Sequence, residues 1–284
     1  MASRRLTPGS LEVYEMSIVS AFLIPGNPLP FLRPDNPPWA ALAEGARAAG
    51  KALAESRPDV LLIYSTQWMA VLDQLWQARE HSTDIHVDEN WYAFGDLQAN
   101  LRADVDLVHA CVEAAVAAGI KSKAVDYDGF PIDTGTIVAT GFVNPTGEIK
   151  AVAAANNLYH DFAMTEKLAK LAAEQAELQG KRVAVLAVGG LSGKYIDEKI
   201  DIAADHFGGE NDDVHNRKLL SLMEAGDVAA LRAWLPDYAK VTGADMSMKH
   251  LAWILGATGG FRGAKTLAYG PTYGAGAAVV QFEL

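Results

Sequence analysis

The sequence predicts an α/β fold, a single three-layer domain with a central mixed sheet flanked by helices, and three observations carry that prediction. Short apolar runs of strand length alternate with longer stretches of helical character. Clusters of Gly, Pro, Asn and Asp punctuate the junctions between them. No internal repeat and no low-complexity linker divides the 284 residues, so one large domain is expected over 16–284.

The elements follow in order. Residues 16–24, MSIVSAFLI, form an apolar run of strand length that stops at Pro25-Gly26-Asn27-Pro28. A proline-rich loop over 34–38 leads into an alanine-rich helix over 39–56, and Pro58 precedes a second strand at 60–64. Residues 97–118 read as a helix stopped by Gly119. Thr165 is the expected N-cap of a helix with Leu168, Leu171 and Ala172 on one face and Gly180 beyond its end. VAVLAV at 183–188 is the strongest strand signal, a continuous apolar run suited to a strand covered on both faces. Further helices are expected from 211–213 to Ala225, from Asp227 to Leu235 and from Ser247 to Ile254. Closing strands are expected at 266–269 and 275–282, with the tract Gly270–Gly274 as the turn between them.

Composition narrows the function. Half of the residues are hydrophobic and 21% are charged, a balance that supports a substantial core. A net charge of −11 disfavours nucleic acid and anionic membrane surfaces as partners. No apolar run reaches the length of a membrane span. The single cysteine, Cys111, permits no disulfide within the chain and suits a reducing cytoplasm. It lies in an Ala/Val-rich stretch where a packed thiol is the ordinary reading and a nucleophile the rarer one. Residues 1–15 carry two arginines with no apolar run behind them, so a flexible extension rather than a signal peptide is expected, with Met16 as an alternative start.

Motifs for standalone chemistry are weak. None of the seven histidines (His81, His86, His109, His160, His206, His215 and His250) forms an H-x-x-x-H pair, and no zinc-type Cys/His spacing occurs. In the segment from His86 to Trp91, alternation sends His86 and Asp88 to one face and Glu89 to the other, so metal ligation competes with a solvated or interface loop. Val188-Gly189-Gly190-Leu191-Ser192-Gly193 follows a strand as a phosphate loop would, yet lacks the P-loop lysine and the G-x-G-x-x-G spacing. No G-x-S-x-G elbow supplies a hydrolase nucleophile.

A resemblance runs from about Ser17 to Leu284. Its segments are AFLIPGNPLP from Ala21, RPDVLLIYSTQW from Arg57, HVDENWYAFGDL from His86 and YDGFPIDTGTI from Tyr127. They continue with NNLYH from Asn156, RVAVLAVGGLSG from Arg182, NRKLLSLMEAGD from Asn216, KHLAWILGA from Lys249 and LAYGPTYGAGAAV from Leu267. On these the chain resembles the class III extradiol ring-cleaving dioxygenases, the protocatechuate 4,5-dioxygenase superfamily. Within it, the chain looks most like the alpha subunits of two-chain 2-aminophenol dioxygenases.

Catalytic members hold Fe(II) with two histidines and one glutamate, leaving positions open for substrate and O₂. The resemblance places those ligands at Gly26, Gln67 and Lys249 of this chain, and the acid/base histidine of G-G-L-S-H at Gly193. Thr134 stands where many relatives have another pocket histidine. A vestigial pocket of Gly26, Asn27, Gln67, Trp68, Thr134, Ser192, Gly193 and Lys249 is therefore expected, with no metal, catalytic residue or cofactor in this chain. Lys249 either points inward and replaces the missing metal charge or is solvated on a helix face. Glu89–Phe94, with Trp91, Tyr92 and Phe94, is either a partner interface or ordinary core.

The resemblance thus implies a non-catalytic subunit of a heterotetramer. Its homologous beta subunit would carry Fe(II) and open 2-aminophenol with O₂ to 2-aminomuconate 6-semialdehyde. The alternatives are an enzyme with ligands relocated to His86, His160 or His250, and a small-molecule binding protein that keeps the pocket.

Overall fold

The computed structural model describes residues 17–128, 132–194, 197 and 199–284. The expected extension over 1–15 and the alternative start at Met16 lie outside the described residues. The strands are β1 (Ile18–Ile24), β2 (Val60–Ala70), β3 (Gln74–Gln77), β4 (His81–Ser82), β5 (Ile85–His86), β6 (Leu97–Gln98), β7 (Leu101–Arg102), β8 (Ser122–Val125), β9 (Lys150–Asn157), β10 (Val183–Val188), β11 (Gly263–Thr272) and β12 (Ala275–Glu283). The helices are α1 (Leu29–Leu32), α2 (Pro37–Ser56), α3 (Val105–Ala117), α4 (Thr134–Val143), α5 (Phe162–Leu178), α6 (Asp212–Glu224), α7 (Val228–Thr242) and α8 (Lys249–Thr258).

Eight strands form one mixed sheet in the order β11-β12-β1-β10-β2-β9-β3-β8. The inner pairs β1–β10, β10–β2 and β2–β9 are parallel, while β12 closes antiparallel on β1 and β9 meets β3 antiparallel. Alternation along the strands sends successive side chains to opposite faces. Leu23, Leu62, Val185 and Val280 pack under α5 and α8, through Leu168, Trp253 and Leu255. Phe22, Ile63, Leu186 and Val279 pack under α2 and α4, through Leu42, Leu53 and Val138. Full burial of each such aliphatic side chain contributes about 1.5–3 kcal/mol. A single domain of three layers is the result, as expected.

Several boundaries differ from the sequence reading, each for a physical reason. Residues 97–103 are extended and bury Leu97, Ala99, Leu101 and Ala103 with a period of two, so helix α3 starts only at Val105, where Asp104 accepts from Leu107 N at 3.3 Å. Helix α5 is capped by Asp161, which accepts from Met164 N at 2.8 Å, and not by Thr165, whose hydroxyl turns back to Asp161 O. Helix α7 continues through Pro236 to Thr242, beyond the expected stop at Leu235, and ends at left-handed Gly243. Ser247 does not cap α8; Met246, Ser247 and Met248 all have positive φ (41°, 54° and 61°), and the helix begins at Lys249. Central strand β9 gave little sequence signal because its AVAAANN core is rich in alanine, a helix former placed here by its neighbours.

Among the described residues no helix is long and apolar enough to cross a membrane.

Candidate functional site

Parallel strands β1, β10 and β2 end side by side, and ligands of open α/β sheets sit at this carboxyl edge. A cavity of about 170 Å³ opens there. Pro25, Gly26 and Asn27 come from the turn after β1, Gln67 from β2, Gly190, Ser192 and Gly193 from the loop after β10, and Thr272 and Ala275 from the β11–β12 hairpin. Five of the sequence-derived positions therefore line one cavity: Gly26, Asn27, Gln67, Ser192 and Gly193.

Gly26 and Gln67 fit together sterically. A Cβ on Gly26 would fall 2.9 Å from Gln67 Nε2, 3.1 Å from Gly135 Cα and 3.2 Å from Val188 Cγ1. The Gln67 amide thus occupies the space into which a side chain at position 26 would grow. Gly135 is confined in the same way, since its Cβ would meet Ser65 Oγ at 2.8 Å and Gln67 Cδ at 3.2 Å. Asn27 is turned to local use, its Oδ1 accepting from Leu29 N at 3.0 Å.

The loop after β10 contributes a polar chain instead of an acid/base side chain. Ser192 Oγ accepts from Asn216 Nδ2 at 2.9 Å and Gly276 N at 3.2 Å, and Asn216 Oδ1 accepts from Tyr238 OH at 2.7 Å. Gly193 presents only backbone; its N–H donates to Thr242 O at 3.2 Å.

Lys249 does not line this cavity. It is 6% exposed, which removes the solvated reading, and its ammonium donates to Asn157 O at 2.8 Å and His160 O at 3.2 Å. Burial holds its pKa below the usual lysine value, against an opposing pull from Asp161. Burial, with the Lys249 charge second, holds the nearby His160 below its usual value, and Asp161 opposes both.

Asp245 is the residue that sequence reasoning missed. Its carboxylate lines the cavity, and Oδ2 accepts from Thr66 Oγ1 at 2.7 Å and Gly190 N at 2.8 Å. Fully buried His250 lies alongside, for a Cβ on Gly189 would meet both Asp245 Oδ2 at 2.9 Å and His250 Nδ1 at 3.0 Å. Burial lowers the His250 pKa, while the Asp245 charge and the Gly190 backbone act in the other direction. Only the left-handed run Met246–Met248 brings Asp245 to the cavity while sending Lys249 and His250 inward, and no residue pattern announces such a run.

Thr134 and Trp68 are placed elsewhere. Thr134 is buried at the start of α4, donating to Asp88 Oδ2 at 2.9 Å and lying 2.8 Å from His86 Nε2. His86 and Asp88 do share a face, with Glu89 exposed, and both are committed to this hydroxyl. Trp68 packs in the cluster on the α2/α4 side of the sheet. In the segment Glu89–Phe94, Trp91 and Phe94 are half-buried, with Trp91 edge-on to Tyr273 at 4.8 Å and the Arg33 guanidinium 4.8 Å above the Phe94 ring, whereas Tyr92 is exposed. Ordinary core does not describe it, since none of the three aromatic side chains is buried.

Cys111 is buried, and burial with the Asp104 charge pushes its thiol up to about 12, so the thiol packs and is no nucleophile. An iron site needs imidazole or carboxylate donors that converge. Among the described residues no three of His, Cys, Asp and Glu do so, and Gly26, Gln67 and an amine tied to two carbonyls do not fit a ferrous ion.

A family model described as the catalytic LigB subunit of aromatic ring-opening dioxygenase matches residues 29–281. The chain is 50% identical over 271 residues to a 2-aminophenol 1,6-dioxygenase alpha subunit of a Pseudomonas species, covering 95% of this chain and 100% of the relative. It is 26% identical over 288 residues to a 2-aminophenol 1,6-dioxygenase beta subunit, also from Pseudomonas, covering 94% of each. It is 23% identical over 219 residues to a 3,4-dihydroxyphenylacetate 2,3-dioxygenase of Escherichia coli, covering 76% of this chain and 79% of the relative. An uncharacterized protein of Escherichia coli K12 has the same fold, with a TM-score of 0.59 at 15% identity over 93% of this chain and 99% of that one.

Proposed function

The chain belongs to the family of aromatic ring-opening dioxygenases, and from that membership we propose that it is the non-catalytic alpha-type subunit of a heteromeric 2-aminophenol dioxygenase. One observation carries the reading: Gln67 fills the place of a side chain at position 26, while the amine at position 249 is spent on backbone carbonyls. All three ligand positions are thereby accounted for, and a glycine, a side-chain amide and an ammonium do not replace two imidazoles and a carboxylate around Fe(II). Oxygen chemistry then falls to a homologous beta-type subunit that carries Fe(II), within a cytoplasmic hetero-oligomer. What this chain's own residues do is hold the fold: Asp245 clamps Thr66 and Gly190, and Ser192 ties the β10 loop to α6 and β12.

The test compares the purified chain alone with the chain co-expressed with its homologous subunit. Iron content and O₂ uptake with 2-aminophenol are expected only in the co-expressed complex. Stoichiometric iron and ring opening by the isolated chain would refute the proposal. A second reading, small-molecule binding, has the cavity of about 170 Å³ in its favour. Saturable binding of 2-aminophenol to the isolated chain, measured by calorimetry, would support it.

A further inference from the structure

At the carboxyl end of the sheet, beyond Gln67, strand β2 ends at Met69-Ala70 and bends through Val71-Leu72, and β9 runs out into Leu158-Tyr159. These two segments lie against each other. Met69 pairs with Asn156 and Ala70 with Asn157, Leu158 N donates to Ala70 O at 2.9 Å, and Asn157 Nδ2 donates to Leu72 O at 3.3 Å. Their large side chains nevertheless face outward: Met69 is 56% exposed, Val71 55%, Leu72 85%, Leu158 44% and Tyr159 82%.

Together these five residues expose on the order of 600 Å², backbone and the Tyr159 hydroxyl included, within the range for the largest patch of a monomer. That approaches the ~800 Å² that each partner contributes to a stable protein–protein interface. No charged residue interrupts 69–72 or 158–159, although 21% of the chain is charged and its net charge is −11. An exposed aromatic and aliphatic centre bordered by charge, here Asp73 paired with Lys123 on one side and Asp161 on the other, is the composition of an interface core with a polar rim. The patch is also held rigidly, because the buried Lys249 ammonium binds the carbonyls of Asn157 and His160, which flank Leu158 and Tyr159. Ordering the loop in advance lowers the entropic cost of docking.

We propose that this rim is the docking surface for the homologous ring-cleaving subunit. The inference rests on the subunit reading above. It commits to that occupant because the chain aligns over 94% or more of its length with relatives named as alpha and beta subunits of 2-aminophenol 1,6-dioxygenase, and the exposed rim approaches the area that one partner of a stable pair buries. An uncharged apolar centre is also the surface on which this acidic chain meets another protein with the least repulsion.

The experiment co-expresses the full chain with the homologous subunit and measures the complex by light scattering. It uses the wild-type chain, the double variant Leu72→Asp/Tyr159→Ser, and a control, Leu178→Asp, at a side chain that is 79% exposed on α5. Wild type and control are expected to assemble, and the double variant to bind at least 100-fold more weakly while keeping its circular dichroism and melting temperature. Hydrogen exchange on the unmutated complex is expected to slow at 69–72 and 157–160. If wild type does not assemble with the homologous subunit, the subunit reading fails and this inference with it. If wild type assembles and the double variant does so equally well, or 69–72 and 157–160 gain no protection, the surface is wrong and the subunit reading stands. Loss of self-association alone in the double variant would likewise overturn the proposed occupant.

Discussion

Gln67 and Gly26 share one space: the Gln67 Nε2 atom sits 2.9 Å from where a Cβ on Gly26 would lie. Position 26 is closed to larger residues while position 67 keeps its amide there. A side chain introduced at position 26 therefore meets the Gln67 amide, whereas Gly26 sets no side chain against a change at position 67.

A double-mutant cycle follows from that coupling. Gly26→Ala alone is expected to cost about 1–3 kcal/mol through overpacking. Combined with Gln67→Ala it should cost at least about 1 kcal/mol less than the sum of the single changes, since neighbours in contact are not additive. Recovery stays partial because Gly135 Cα and Val188 Cγ1 also crowd the site at 3.1 and 3.2 Å. Urea unfolding of the four proteins measures the cycle; strict additivity would show that the amide yields freely.

Lys249→Met removes a buried donor and leaves the carbonyls of Asn157 and His160 without it, with an expected loss of about 1–3 kcal/mol. A pH signature separates this from simple packing. The folded-state pKa of Lys249 is lowered, so between that value and the unfolded value near 10.4 the unfolded chain binds more protons and stability rises with pH. Lys249→Met should abolish that share of the alkaline rise in ΔG of unfolding. An unchanged profile would mean that the amine titrates as it does in water.

On the acid side, His160 and His250 are both held below their usual values. Stability from these rings is complete above about pH 6.5, the unfolded value, and is lost as pH falls toward their lowered folded values. Denaturant titrations from pH 8 to 5 should show this decline, and a flat response across that interval would contradict it.

Thr134→Val separates His86 from Asp88, because one hydroxyl contacts both, at 2.8 and 2.9 Å. A cost of about 1–2 kcal/mol is expected, with faster hydrogen exchange confined to 86–94. Uniform acceleration over the whole chain would instead indicate a global effect.

Cys111 should ignore a thiol reagent at pH 8 in the folded protein and react fully in denaturant, since its thiol is buried and pushed up to about 12. Rapid labelling of the native protein would require an opening near α3.

How much of this was legible follows from the kind of signal each residue carries. The run 183–188 was placed to the residue because continuous β-branched and aliphatic character is a local property. The alanines of β9 were invisible because burial between β2 and β3 is decided by the sheet and not by alanine itself. Gly26, Gln67 and Gly193 line one cavity, whereas Thr134 and Lys249 are held by partners far along the chain: Asp88 for one, Asn157 for the other. Asp245 left no trace in the sequence, since its role depends on three backbone angles that L-residues rarely adopt.

That left-handed run at Met246, Ser247 and Met248 costs roughly 1–2 kcal/mol per residue, a mirror-image turn standing against the chirality of its own amino acids. It is anchored before by Asp245 on Thr66 and Gly190 and after by Lys249 on Asn157 and His160. The two anchors therefore act as opposite ends of a wound spring. Releasing either anchor is expected to let the coil relax and to shift the residue at the other end.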